Sequence, residues 1–385
     1  MKRISSIDIL RGIVMIIMAL DHTRDLMHTS SLTQNPLDLT TTTPLLFFTR
    51  WITHLCAPTF VFLSGTSAWL SFKNKNNFAE SRNFLLTRGL WLIVLEFTLV
   101  NFGLWFDLHF GTFIFDVIAT IGFGFIVLAL LLKASPKTIG IIGLVIICCH
   151  NLIQLLPMIN GPLIKIPALF FVPGALSISS STTFVMAYPP IPWLGVMLLG
   201  FALGRLFEIS QLKRKKIFLK IGTGALMLFV IIRFINLYGD SFRWTAQKNG
   251  LYTFLSFINI TKYPPSLIFC LVTLGIMFII LSFIEGIKNK YTDIAIVFGR
   301  TPLFYFVVHW YIIHPLMFVM VFLQGFKRSD LIFGFNFGRP KTGSGVELWA
   351  IYLIWIGVVI MMYPLCKWYG KYKEKHTEKK WLRYL

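Results

Sequence analysis

The sequence predicts an all-α polytopic membrane protein, a bundle of about ten transmembrane helices with both termini in the cytoplasm. Three observations predict it. Of 385 residues, 56% are hydrophobic and 14% charged, against about 25% charged in a soluble domain. Apolar runs near the 20 residues that a bilayer demands recur along the whole chain. The Lys and Arg residues gather in alternate short loops, as expected when they set membrane orientation. The formal net charge of +20 therefore reflects topology, not nucleic-acid binding.

The spans fall near 8–28, 54–72, 84–105, 113–132, 138–156, 190–208, 217–238, 264–285, 295–323 and 347–366. The ninth is too long for one straight crossing and is expected to tilt, break or extend beyond the bilayer. The stretch 166–178 contains Pro167, Pro173 and Gly174. It reads as an interfacial or re-entrant piece, or else as an eleventh span. With the N-terminus inside, the cytoplasmic segments hold 25 of the 36 Lys and Arg residues. An even number of spans follows. The first apolar run resembles a secretory signal, but Asp21-His22-Thr23-Arg24-Asp25 follows it instead of a small-residue cleavage site. It reads as a retained helix. The five Cys show no metal or redox spacing. Residues 1–385 thus form one transmembrane domain, with 367–385 as a basic cytoplasmic tail.

Ionisable groups inside a bilayer are costly and mark function. Asp21, Asp25 and His28 share one face of the first helix by their spacing, and His22 flanks it. Helix rise puts Asp21 and His22 about 15 Å above Arg11. Arg24 and Arg50, His54 at the start of the second span, Arg233, Lys262, His309 and His314 fall at mid-membrane to outer depth by the same count. Asp8 and Arg11 read as an ion pair, and Glu96 and Asp116 as single acids bonded to neighbouring helices. Arg88, Arg205 and Arg300 each stand beside a Gly at a cytoplasmic helix end. Gly permits close backbone approach and Arg suits phosphate, so a phosphate-rich cofactor is expected there. Trp51, Trp193, Trp244 and Trp310 read as helix packing or as sugar-stacking faces. A metal site lacks supporting spacing, and no metal is expected.

A His-rich cavity facing outward above a basic cytoplasmic mouth suggests group transfer across the membrane. A His beside a carboxylate serves as a general base near neutral pH. His22, oriented by Asp21 or Asp25, takes that role, with His309 or Arg24 stabilising developing charge. A covalent acyl-histidine is the alternative. A transporter of a small polar solute is the rival reading, weakened by the lack of internal repeats.

Several blocks resemble the bacterial branch of the heparan-α-glucosaminide N-acetyltransferase family. They are Arg3-Ile-Ser-Ser-Ile-Asp8-Ile-Leu-Arg11-Gly12, Asp21-His22-Thr-Arg24-Asp25 and Arg50-Trp51-Ile-Thr-His54-Leu-Cys-Ala-Pro58 with Ser64-Gly65. Further on come Tyr188-Pro-Pro-Ile-Pro192-Trp193, Lys262-Tyr263-Pro264-Pro265-Ser266 and Phe298-Gly299-Arg300-Thr-Pro302, ending at His309. The resemblance implies a ten- or eleven-helix acetyltransferase. It would move acetyl from cytoplasmic acetyl-CoA to an amino sugar on the far side. The expected partners are acetyl-CoA, an amino-sugar or glycan acceptor, the lipid bilayer and a second copy of the chain in a homodimer. O-acylation of a surface glycan is the alternative chemistry. His22 stands where the lysosomal branch has a catalytic Asn, and His28 is nearest to that branch's catalytic His. This departure favours direct transfer with His22 as base. Short loops suit a bacterial inner membrane.

Overall fold

The computed structural model describes residues 4–155 and 165–383. Helix α1 (Ser5–Met27) is followed by α2 (Pro44–Ile52), which passes through a tight turn at 53–55 into α3 (Cys56–Lys75). Helix α4 (Phe78–Leu95) continues through a π-helical turn (Glu96–Val100) into α5 (Asn101–Trp105). Strand β1 (Thr112–Phe115), α6 (Val117–Leu131) and α7 (Pro136–Cys149) come next. A short α8 (Lys165–Ala168) and strands β2 (Gly174–Ser177) and β3 (Thr183–Met186) precede α9 (Pro190–Leu203) and α10 (Gln211–Ile235). The chain ends with α11 (Gly250–Ile258), α12 (Leu267–Ile284), α13 (Lys290–Gly299), α14 (Pro302–Leu323) and α15 (Leu348–Lys375).

Among the described residues, eight helical segments are long and apolar enough to cross a membrane. Helix α1 has the length but carries Asp8, Arg11, Asp21, Arg24 and Asp25. Helix α6 is apolar but has 15 residues. Those two with the eight account for the ten expected spans, in an all-α polytopic bundle.

Two boundaries differ from the sequence reading, at the fourth span and at the tail, and two open readings are narrowed, at 166–178 and in the ninth span. The fourth span begins as strand, because Thr112-Phe-Ile-Phe115 pairs in parallel with β3 and Asp116 then starts α6. The stretch 166–178 is a short helix and a strand antiparallel to β3, too short to span. The ninth span breaks at Arg300-Thr301, with Pro302 opening the next helix, a position that Pro suits. Helix α15 runs through the expected tail to Lys375. Its 28 residues cover about 42 Å, so the basic end projects beyond a hydrocarbon core of about 30 Å.

Close helix contacts fix the centre. A Cβ on Gly12 would lie 1.9 Å from the Ala295 carbonyl oxygen, and one on Gly299 would lie 1.8 Å from that of Asp8. The absent side chains let α1 and α13 run antiparallel at backbone contact, the packing that small residues allow in membranes. The start of α1, the α13–α14 break and the end of α15 share one end of the bundle, where Arg300 pairs with Glu374 at 3.2 Å. Both described chain ends therefore lie on the same side.

Candidate active site

Helix α1 is largely buried along its length, and its C-terminal half carries Asp21, His22, Arg24 and Asp25. The i, i+3 spacing lets Arg24 donate to Asp21 Oδ1 at 2.8 Å. Arg50, in the last turn of α2, donates to Asp21 Oδ2. Arg24 also donates to Asp25 at 2.6 Å. Asp21 and Arg24 are buried, and burial demands such pairing, because an isolated charge in low dielectric is too costly. Asp21 is thereby held by two guanidinium groups and does not touch His22 through any hydrogen bond described.

His22 is instead partnered by His309 of α14, Nδ1 to Nε2 at 2.6 Å. His309 Nδ1 lies 3.1 Å from the Tyr305 carbonyl. A carbonyl only accepts, so His309 Nδ1 carries its hydrogen and Nε2 is the acceptor in the neutral ring. His22 must then donate from Nδ1, which leaves the lone pair on Nε2, the nitrogen with no hydrogen-bond partner among the described residues. The His22 ring stacks on Trp310 with centroids 4.2 Å apart, and that fixes its plane. The expected carboxylate support for His22 is thus supplied by a second imidazole, because both arginines claim Asp21.

Three cavities abut along the bundle. The central one, about 30 Å³, is lined by Asp21, His22, Asp116, Tyr188 and Lys262 among others. It has room for about one or two waters. Towards the end where the chain termini lie, it shares Phe60, Val117 and Phe306 with a cavity of about 90 Å³ lined by Arg11, Ser64, Arg88 and mostly apolar side chains. Towards the opposite end, it shares Lys262 with a cavity of about 630 Å³ that includes Asp38, Arg50, His54, Arg243 and Tyr263. In the loop between α1 and α2, which lines this outer cavity away from the chain termini, the Thr40 amide and hydroxyl hold the Asp38 carboxyl below the usual carboxylate range. The outer cavity remains richer in cations than in acids.

The sequence-selected residues divide accordingly. Asp21, His22, Arg50, His54, Lys262 and Arg88 line this cavity series, and His309 and Arg24 support it from behind. His54 is 1% exposed, with no hydrogen bond to either ring nitrogen. Lys262 lies over the Tyr263 ring at 5.0 Å and forms none of the described hydrogen bonds or ion pairs. Asp25, His28, Arg233, His314, Arg205 and Arg300 lie off the three cavities. His28 ends α1, and its carbonyl accepts from Arg339 at 3.0 Å. Arg233 donates to four backbone carbonyls, those of Phe242, Ser256, Phe257 and Asn259. His314 bonds the Phe337 carbonyl at 2.9 Å. Arg205 is exposed, and Arg300 pairs with Glu374. Trp51 and Trp244 bond backbone carbonyls, while Trp193 stacks on Tyr188; all three pack helices.

Sequence reasoning passed over Arg11, Ser64, Asp116 and Tyr188 as cavity residues. Arg11 does pair with Asp8, at 3.4 Å, yet it also lines the inner cavity. Ser64 and Tyr188 stood inside the family-like blocks, which was the available signal. Among the described residues, no cluster of His, Cys, Asp and Glu is placed to hold a metal ion.

Residues 3–234 match the family described as heparan-alpha-glucosaminide N-acetyltransferase, catalytic. No curated protein matches the chain. The match covers α1 with Asp21 and His22, α2 with Arg50, and the inner cavity's Arg11 and Arg88, and it stops before Lys262 and His309. It spans more than half of the chain, so the protein belongs to the heparan-α-glucosaminide N-acetyltransferase family and is a transmembrane acetyltransferase.

Proposed function

We propose that this chain takes an acetyl group from acetyl-CoA in the inner cavity and delivers it to the amine of an amino sugar entering from the outer cavity. The observation that carries this reading is the series of three abutting cavities, with the free imidazole nitrogen of His22 on the middle one. The inner cavity suits the donor. Its apolar walls match a pantetheine arm, and Arg88 and Arg11 bring positive charge for phosphate. The outer cavity is wide and polar, as a sugar requires.

The acceptor nitrogen attacks the thioester carbon. The C–N bond forms, the C–S bond breaks, and the amine proton passes to His22 Nε2. That proton then goes to the departing sulfur, giving the CoA thiol. His309 holds His22 in the tautomer that can accept it. Lys262 supplies positive charge for the oxyanion of the tetrahedral intermediate. Because His22 keeps a lone pair throughout the resting state, direct transfer needs no acyl-histidine. By its short loops the protein suits a bacterial inner membrane, with the chain termini and the donor on the cytoplasmic side.

The test is turnover by the purified protein in nanodiscs with acetyl-CoA and glucosamine, read as free CoA. CoA release that depends on glucosamine supports the reading. Donor binding with no acceptor-dependent release from any amino sugar contradicts it.

A further inference from the structure

Two carboxylates line the central cavity, and they are not equivalent. Asp21 is bound by Arg24 and Arg50. Asp116 has a buried Oδ1 with no hydrogen-bond partner, and it forms no ion pair among those described. An orphaned buried oxygen on a cavity wall calls for an explanation.

Asp116 directly precedes α6, where an Asp ordinarily caps the helix. Here a different residue satisfies that end. The Ala119 amide donates to Glu96 Oε2 at 2.9 Å, with Glu96 presented by the π-helical turn of the neighbouring helix. Such turns recur at functional sites. The backbone at Asp116 is held on both sides. Phe115 is registered with Met186 in the sheet, and the Thr120 amide donates to the Asp116 carbonyl at 3.0 Å. The carboxylate is therefore held at the cavity wall with the Val117 amide beside it, and its Oδ1 has no hydrogen-bond partner. The charged and titratable groups that share its surroundings are His22 and Asp21 from α1, Cys56 from α3, Tyr188 from the segment before α9, Lys262 from the segment before α12, and Glu96 behind it.

An amino-sugar acceptor arrives from neutral water largely as an ammonium ion, which has no lone pair and cannot attack a thioester. A hydroxyl acceptor has no such charge. The site needs a group that welcomes the cation and removes its extra proton, and His22 is already assigned the second proton. We propose that Asp116 binds the acceptor's ammonium group and takes its first proton, making the site selective for amines over hydroxyls. This inference rests on the acetyl-transfer reading above and extends it to the choice between N- and O-acylation.

The steps balance. The ammonium gives one proton to Asp116 Oδ1 and becomes an amine. The amine attacks, and its second proton travels through His22 Nε2 to sulfur. Products are the acetamide and the CoA thiol. The proton on Asp116 leaves through the outer cavity, one per turnover.

Asp116→Asn keeps the shape and removes the charge. The full chain in nanodiscs is assayed with saturating acetyl-CoA from about pH 6 to about pH 9, a range that brackets an ordinary amine. Glucosamine is the acceptor, and glucose serves as a competitive inhibitor. The wild type is expected to bind glucosamine at least about tenfold more tightly than glucose. In D116N that preference disappears. Its kcat/KM for glucosamine falls at least about tenfold at the acid end and recovers as the free amine becomes abundant, with the KM for acetyl-CoA unchanged. A purely structural role would not give a deficit that rising pH repairs. A D116N enzyme with the wild-type profile and preference overturns the inference while leaving acetyl transfer standing. A loss equal at all pH values also overturns it. If D116N fails to bind acetyl-CoA, Asp116→Glu decides: a reduced kcat with retained amine preference supports the carboxylate, and lost preference overturns it. A wild type without glucosamine-dependent CoA release overturns both readings together.

Discussion

Helices α1 and α15 invert what hydropathy suggests. Helix α15 is strongly apolar, yet only 17% of its most hydrophobic window is buried. Trp349, Leu353 and Ile360 are each at least 60% exposed. Helix α1 carries five charged residues, yet Ile9, Ala19, Thr23 and Arg24 are all 2% exposed or less. The physical reason is the solvent. Lipid tails are as apolar as leucine, so apolar surface gains nothing by leaving them, whereas charges must find partners inside. The helix least like a membrane span is therefore the one that lines the central cavity.

That contrast is tested first where α1 acts. His22→Ala removes the base and is expected to lower acetyl transfer by about 10²–10⁴-fold, with acetyl-CoA binding retained in a titration. His309→Ala leaves the base but frees its tautomer. A drop of about 10²-fold is expected, expressed in kcat and not in the KM for acetyl-CoA. Asp21→Asn leaves Arg50 facing a neutral amide, while Arg24 keeps its pair with Asp25. Breaking a buried ion pair costs about 3–5 kcal/mol, visible as a lowered unfolding temperature in detergent. Gly299→Ala forces α1 and α13 apart at the Asp8 carbonyl. Overpacking costs about 1–3 kcal/mol, read by the same unfolding assay. Leu353→Ala on the lipid face of α15 should change stability by less than about 0.5 kcal/mol. A costlier Leu353→Ala than Asp21→Asn would break the comparison.

Much of the bundle was legible because a span requires a long apolar run, and such runs survive without any knowledge of neighbours. The three-stranded sheet was not legible. Its strands have four residues each, and Thr112 pairs with Thr183, far away in sequence. The break after Gly299 was anticipated only as one of several outcomes for a run that was too long. In the site, depth arithmetic put Asp21, His22, Arg50, His54, Lys262 and His309 between mid-membrane and outer depth, and each lines or backs the cavity series. It could not say which partner each would choose. His22 found His309 because Arg24 and Arg50 had taken Asp21. Arg233 and His314 sat at the right depth but serve backbone carbonyls, which no side-chain pattern reveals. Asp116 read as a single acid bonded to a neighbouring helix, whereas Glu96 takes the amide in the first turn of α6 and leaves Asp116 Oδ1 without a partner.

The central claim is that donor and acceptor meet at His22 from opposite ends of the cavity series. The most direct measurement is a sided assay in sealed proteoliposomes, with protein orientation determined by protease access to the C-terminal tail. Acetyl-CoA is placed on the side of the tail and glucosamine on the other. The account predicts that acetylated glucosamine forms on the glucosamine side and CoA on the tail side, with no product when the two substrates are exchanged. Product that forms only when both substrates share one side would contradict it.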